Sequence, residues 1–486
     1  MDLKVLFCAS EATPFAKTGG LADVAGALPK ALSALGCDVR LLLPLYPSAR
    51  EAAAPLEPVR EWIPIPVGVH TYHGHLWKAA DTNGPAVYFL EKDEFFHRPH
   101  LYAHPLRGDY EDNAERFILL SRAVYPLCRH LGWTPHILHL NDWQTATAAA
   151  YLHFHWRHDP AFASTRSLLT IHNLGYQGLF PGSFFGLTGL PPDAFSVDGM
   201  EFWGQVNFLK AGLVYSHGLT TVSPRYSREI QEPENGFGLD GVLRNRSADL
   251  RGILNGIDTS VWDPRTDPHL PAHFDAEHLS GKTECKKQLL REMGFPGEAL
   301  DRALCVVISR LAAQKGVDLI LQALDAMMEL PLSLAVLGTG DPELEKALGE
   351  AERAHPDRVR VRLTFDESLA HRLEAGGDLF LMPSRYEPCG LNQMYSLRYG
   401  TIPLVAAVGG LDDSVVDAVR NPHTGTGFKF YRHTPEDFLA ALKAALHLYE
   451  NREKWRELQR RAMAQDFSWA RAARAYLDFY RELAAD

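Results

Sequence analysis

LFLMPSRYEPCGLNQMYSL, residues 379 to 397, decides how the chain folds. The apolar run from Leu379 to Met382 reads as a buried strand, and Pro383 ends it because proline has no amide to donate to a neighbouring strand. A short polar loop with Arg385 and Glu387 follows, then Gly390, after which Leu391, Met394, Tyr395 and Leu397 resume at helix-like spacing. A strand that feeds through a glycine-containing loop into a helix offers backbone amides and a positive dipole end to an anion. Glu387 beside that loop has two uses: accepting hydroxyl hydrogen bonds from a sugar, or serving as a helix cap or surface ion pair. These residues alone leave the two uses evenly matched.

Working outward, similar apolar runs recur at Val5 to Ala9, Val39 to Leu43, Val87 to Leu90, Ile137 to Leu140, Leu168 to Ile171 and Leu219 to Val222. A second series occupies Leu304 to Ile308, Leu332 to Leu337, Val359 to Leu363, Leu379 to Met382 and Leu404 to Val408. Strands alternating with amphipathic stretches predict an α/β fold: two parallel-sheet domains in tandem with a cleft between them, ligands binding at the carboxyl ends of the strands. Pro233 to Gly241, rich in glycine and proline, reads as a domain junction. From Pro435 onward the pattern is helical, with Phe438, Leu442, Leu446, Trp455, Leu458, Tyr476 and Phe479 as its apolar positions.

A length of 486 residues predicts two domains, and 46% hydrophobic with 22% charged residues is an average globular composition. The net charge of −11 argues against a nucleic-acid partner, which needs a clustered basic face. Six scattered cysteines without a C-x-x-C pair predict buried thiols in a reducing compartment. With no apolar run long enough to span a bilayer and no leader pattern at the amino end, no membrane partner and a cytoplasmic location are expected.

The strand-end loops carry the chemistry. Lys17-Thr18-Gly19-Gly20-Leu21-Ala22-Asp23 combines two glycines, a helix start and a cation, which suits a phosphate; the alternative is a plain turn with a solvated lysine. It is not a Walker loop, because the G-x-x-x-x-G-K order is missing. Asp142 at the next loop caps a helix or, with Trp143, meets a sugar through carboxylate and indole face. His172 ends another strand, where a lone histidine is more often structural. Arg310 and Lys315 straddle a strand-to-helix turn and can converge on one diphosphate. Gly338-Thr339-Gly340 lacks the third glycine of a dinucleotide fingerprint and reads mostly as a tight turn. The histidine groups around His70, His97 and His153 lack carboxylates or cysteines at ligand spacing, so no metal site is expected.

Lys17-Thr18-Gly19-Gly20, Asp142-Trp143, His172-Asn173, Arg310 to Lys315 and Glu387 to Gln393 occur in that order, and with them the chain resembles the bacterial glycogen synthases and plant starch synthases over essentially its whole length. The resemblance implies the glycosyltransferase-B arrangement of two Rossmann-like domains. Residues 1–245 would form the acceptor-side domain, 246–458 the nucleotide-sugar side, and 459–486 a helical segment crossing back to the first. It implies ADP-glucose as donor, glycogen or a malto-oligosaccharide as acceptor, retention of configuration, and no cofactor or metal. Catalytic roles would fall on Glu387, His172, Asp142, Arg310 and Lys315. Substrate binding would fall on Lys17, Gly19, Gly20, Asp23, Asn255, Phe365, Cys389, Gly390, Leu391 and Asn392. Asp109 to Phe117 resembles an acceptor-side segment, and Phe365 stands where the family sets an aromatic residue against adenine, with core packing as the alternative. The family usually has arginine and threonine where this chain has Ala406 and Val408. A same-fold transferase using UDP-glucose and a non-catalytic glucan-binding protein are the rival readings. A nicotinamide dehydrogenase rests only on Gly338-Thr339-Gly340. Oligomeric state is left open.

Overall fold

A computed structural model describes residues 3–80, 82, 84–104 and 108–485. Its packing divides the chain into two compact units. The first comprises Met1–Val222, Ser227–Asn255 and Trp469–Asp486, and the second Ser223–Tyr226 and Gly256–Ser468.

The first unit is built on a nine-stranded sheet. Its spatial order is Leu250–Gly252, Gly218–Thr221, Arg166–Ile171, Ile137–Asn141, Lys4–Cys8, Asp38–Pro44, Ala86–Glu91, His70–Ala79 and Leu56–Val67. All the pairs from Leu250–Gly252 to Ala86–Glu91 are parallel, in registers such as Val5 opposite both Val39 and Ile137. Strands covered on both faces need apolar side chains in both directions, which is why they read as unbroken runs. The last two strands form an antiparallel edge hairpin, in which Ile63, Ile65 and Val67 alternate inward. Pro58, Pro64 and Pro66 are tolerated there because an edge strand needs fewer donors. The strand Leu250–Gly252 pairs with Gly218–Thr221, so the first sheet runs on past residue 245.

The helix Trp469–Ala485 packs into this first unit through Trp469, Ala472, Ala473, Tyr476, Leu477, Phe479, Tyr480 and Leu483, the stripe expected of an amphipathic helix. Gly218 admits it, since a β-carbon there would lie 2.9 Å from both Phe479 and Leu483. A buried polar chain fixes its register. Tyr480 Oη lies 2.6 Å from His139 Nδ1, His139 Nε2 2.7 Å from Thr170 Oγ1, and Thr170 Oγ1 2.6 Å from Thr220 Oγ1. Burial holds the His139 imidazole well below its ordinary pKa, so it is neutral.

The second unit has a six-stranded, wholly parallel sheet in the order Val359–Arg362, Leu332–Leu337, Ala303–Ile308, Leu379–Met382, Ile402–Ala406, Phe428–Phe430. One face is covered by a core that includes Val317, Ile320, Phe438, Leu442, Trp455 and Leu458, so the helix Arg452–Met463 packs within this unit. The other face carries Leu289, Leu290, Leu369 and Leu373. In both sheets the order reverses beside the first strand of the unit, between Lys4–Cys8 and Ile137–Asn141 and between Ala303–Ile308 and Leu379–Met382. Crossover helices on either side of such a point leave a crevice at the strand ends, where ligands of open α/β sheets bind.

Replacing Tyr480 with phenylalanine removes the partner of a fully buried imidazole nitrogen. A stability loss of about 1–3 kcal/mol is expected, read as a lower midpoint in thermal or denaturant unfolding. An unchanged midpoint would mean that the polar chain does not anchor the last helix.

Candidate active site

At the crossing point of the second sheet, two strand-end loops lock together. Lys315 Nζ donates to Glu387 Oε2 at 2.6 Å, and Ser384 Oγ donates to the same oxygen at 3.0 Å. The lysine side chain is 20% exposed and the carboxylate 7%, so the pair is mostly out of water but open at one edge. Backbone contacts hold the loops in register: Arg385 N donates to Gln314 O, Gln314 Nε2 to Tyr386 O, and Arg385 pairs with Asp318. Gly316 is required where they touch, because its φ is +67° and a β-carbon would sit 1.9 Å from Pro383 O. Arg310 is exposed and has no side-chain hydrogen bond or ion pair among the described residues.

The remaining residues of this cluster divide into scaffold and open surface. Asn392 donates through Nδ2 to Ile308 O, tying the helix start to the end of the neighbouring strand, and Leu391 precedes it half-buried. Gln393 Nε2 donates to the Cys389 and Gly390 carbonyls, fixing a loop in which Gly390 has φ +70° and Cys389 is buried. The helix beginning at Gly409 presses on the same loop, and Gly410 N donates to Glu387 O. Ala406 and Val408 lie next to it, Ala406 at the end of its strand and Val408 as the residue before the helix. Gly338-Thr339-Gly340 is a tight turn clasping the Arg310 loop, with Leu311 N bonded to Thr339 O and no room for a β-carbon at either glycine. Phe365 is 83% exposed, so it is no part of the core.

At the crossing point of the first sheet lie the loops after Lys4–Cys8 and Ile137–Asn141. Lys17, Thr18, Gly19 and Gly20 are exposed, and Lys17 Nζ meets Asp23 Oδ1 at 2.7 Å at the surface. Neither glycine has a positive φ, and a β-carbon on either would meet nothing within 4 Å. Folding therefore does not demand glycine here, whereas close approach by a ligand would. The Thr18 and Gly19 amides are already turned inward to Glu11, a buried carboxylate that the loop motif gives no hint of.

Asp142 does not cap the helix Trp143–Tyr151. Its backbone adopts φ +54°, ψ −172°, strained for a non-glycine residue, and its carboxylate instead accepts the amides of His172 (2.7 Å) and Asn173. His172 Nε2 lies 2.9 Å from Asn141 Oδ1, while Asn141 Nδ2 donates to Cys8 O. That network assigns the proton to Nε2 and leaves Nδ1 as an acceptor. Burial lowers the His172 pKa to about 3, so the ring is neutral. Trp143 faces Phe117 and Phe180, and the backbone of Gly178 lies against its ring, which removes the indole face expected for a sugar. Asn255 is buried with an unpartnered Oδ1 among the described residues. Asp109 to Phe117 is largely scaffold, with Arg116 fully buried and bonded to Phe95 O and Asn113. Among the described residues no three His, Cys, Asp or Glu side chains gather as metal ligands, and no helix is long and apolar enough to cross a membrane.

Residues 4–245 match the starch synthase catalytic domain family and residues 291–462 the glycosyl transferases group 1 family. The chain is 52% identical to a glycogen synthase of Anaeromyxobacter sp. (strain Fw109-5), covering 99% of this chain and 100% of the relative. It is 45% identical to a glycogen synthase of Syntrophotalea carbinolica, covering 99% of each. Among solved structures, the catalytic domain of starch synthase IV from Arabidopsis thaliana, bound to ADP and acarbose, superposes with a TM-score of 0.91 at 35% identity over 100% of both chains. Sucrose-phosphate synthase from Thermosynechococcus elongatus, at 17% identity, TM-score 0.61 and 99% coverage of both chains, shares the fold.

Burial carries the Asp142 carboxyl from an ordinary 3.8 up to about 7, against the opposing pull of the two amides. A raised carboxyl pKa means the unfolded chain ionises first, so this group opposes folding increasingly as pH rises from about 4 to about 7. Asp142→Asn is therefore expected to gain stability relative to the parent as pH rises from 4 to 8 in paired denaturant titrations. A difference that does not change with pH would show that the carboxyl is not perturbed.

Proposed function

The chain belongs to the glycogen and starch synthase family of glycosyltransferases, and on that premise we propose that it transfers glucose from ADP-glucose to the non-reducing end of an α-1,4-glucan with retention of configuration. The observation that carries this reading is the Lys315–Glu387 pair at the sheet crossing, with the unpaired Arg310 on the same strand-end loop as Lys315. The Arabidopsis relative bound to ADP supports a nucleoside diphosphate as the group these cations receive, and its acarbose supports a glucan as acceptor.

As the bond from the anomeric carbon to the diphosphate breaks, negative charge grows on the departing ADP. Arg310 and Lys315 neutralise it, and because the charge grows as the bond breaks, their attraction is stronger in the transition state than before it. Two cations, Lys315 held by Glu387 and Arg310 free to turn onto the diphosphate, can do this without a metal. Glu387 Oε2 keeps Lys315 and Ser384 while Oε1 takes a hydroxyl of the donor glucose. The backbone of Cys389, Gly390 and Leu391 lines the donor, with the loop held by Gln393, and Asn392 fixes the helix start. Phe365 offers an uncovered ring to the base.

In the first unit, His172 presents neutral Nδ1 to a sugar hydroxyl, and Asp142 orders the His172 and Asn173 amides. Lys17, Gly20 and the Asp23 region receive phosphate of the donor, and Asn255 Oδ1 accepts from the donor as well. No second carboxylate stands as a paired nucleophile in this assignment. Retention then follows from attack by the acceptor 4-hydroxyl on the face that ADP leaves, the hydroxyl proton departing with the diphosphate oxygen.

The test is incubation with glycogen and either ADP-glucose or UDP-glucose in the presence of chelator, measuring nucleoside diphosphate released and glucan gained. Transfer from ADP-glucose with chelator present is expected, and Lys315→Ala and Glu387→Ala should each lower turnover by roughly a hundredfold while circular dichroism stays unchanged. Transfer from UDP-glucose alone would overturn the donor, and normal turnover in both variants would overturn the site.

A further inference from the structure

Glu11 has no role in the assignments above, yet its environment is unusual. It is only 4% exposed, and its hydrogen-bond partners among the described residues are neutral donors rather than a cation. Thr18 N donates to Oε2 at 2.5 Å, Thr18 Oγ1 lies 3.0 Å and 2.9 Å from the two oxygens, Tyr102 Oη donates to Oε1 at 3.2 Å, and Gly19 N adds a further bond. Burying a carboxylate without a counter-charge is expensive, so four donors turned onto one group imply that it holds something in place.

What it holds on one side is the core. Ser10 Oγ lies 2.7 Å from Tyr102 Oη, Asn113 Nδ2 donates to Tyr102 O, and the fully buried Arg116 donates to Asn113 Oδ1. On the other side is the exposed Lys17–Gly20 loop, which runs into the helix Gly20–Ala34 at one end, with Ala22 N bonded to Gly19 O, and meets the core through Glu11. A β-carbon on either glycine would meet nothing within 4 Å, so no neighbouring side chain packs over them, and the surface pair Lys17–Asp23 contributes little. Without the Glu11 contacts the stretch from Lys17 to Gly19 would keep more freedom until substrate arrived, and ordering it then is an entropic cost charged to binding.

We propose that Glu11 is the positioning residue of the Lys17–Gly20 loop: by fixing Thr18 and Gly19 from beneath, it sets Lys17 and Gly20 in place to receive the nucleotide sugar. The inference rests on the reading of that loop as a donor-binding element. Asn113 and Arg116, within the segment Asp109 to Phe117, thereby take a part as well, as the buried support behind Tyr102. Glu11 does not touch substrate. Its effect is on how much of the loop is already arranged when substrate arrives.

The test is steady-state kinetics of the full chain with ADP-glucose and glycogen varied separately. Glu11→Gln keeps the shape but sets an amide donor against the Thr18 and Gly19 amides. It is expected to raise the KM for ADP-glucose roughly tenfold or more, with the KM for glycogen unchanged. Thr18→Ala, which removes only the hydroxyl, should shift the same constant less. Restoring the carboxylate on a shorter arm, in Glu11→Asp, should recover part of the loss. A purely structural role would lower the active fraction and the unfolding midpoint and leave both KM values alone. An ADP-glucose KM within about twofold of the parent in Glu11→Gln overturns the proposal. If that variant does not fold, Tyr102→Phe and Thr18→Ala decide in its place, a raised ADP-glucose KM supporting the proposal and unchanged values overturning it. Lys17→Ala separates the two layers. If it raises the ADP-glucose KM while the Glu11 variants do not, only the positioning role falls. If neither moves it, the donor-binding reading of the loop falls too.

Discussion

The ion pair between Lys315 and Glu387 is the constraint on which the second unit's cluster depends. A parallel sheet whose strand order reverses brings the ends of Ala303–Ile308 and Leu379–Met382 side by side, and everything beyond those ends must be fitted around their junction. Gly316 lets one loop pass against Pro383 of the other, and Gly409 and Gly410 let the next helix close over Glu387 and Cys389. The pair is sheltered, so its attraction is screened less than at the surface, yet it keeps an open edge. A lysine held in this way is arranged before substrate arrives, which is the condition for electrostatic stabilisation of a leaving diphosphate.

The first unit reaches a comparable end with different means. Its carboxylates at the sheet crossing, Glu11 and Asp142, are satisfied by backbone amides and hydroxyls, not by cations. Backbone amides so engaged fix the direction of the chain. Asp142 determines where His172 and Asn173 begin, and Asn141 orients the His172 ring with Nδ1 left as acceptor. The strain at Asp142 is the kind tolerated where neighbouring hydrogen bonds over-determine a conformation.

Much of this architecture is legible in the sequence because buried parallel strands must be apolar on both faces. Val5 to Ala9 and Leu332 to Leu337 announce themselves for that reason, and so does the crossing point once their order is known. The edge hairpin Leu56–Val67 and His70–Ala79 was not legible, since half of its residues face water and prolines break its pattern. Among site residues, Lys315 and Glu387 stand in motifs, but their contact is a tertiary fact that no spacing records. Phe365 and Trp143 show the limit from opposite sides. An aromatic residue after a strand can be bare or packed, and the neighbours that decide it are distant in sequence. Glu11 was missed because a single glutamate before a proline-containing loop carries no pattern; only the convergence of Thr18, Gly19 and Tyr102 on it does.

If Lys315 and Glu387 work as one preorganised unit, their contributions to catalysis cannot be independent. The direct measurement is a double-mutant cycle on kcat/KM for ADP-glucose with Lys315→Ala, Glu387→Gln and the two combined. The expected result is coupling of at least about 1 kcal/mol, the double variant being little worse than the poorer single one. Losses that add to within about 0.5 kcal/mol would contradict it, showing that the two residues meet in the structure but act apart.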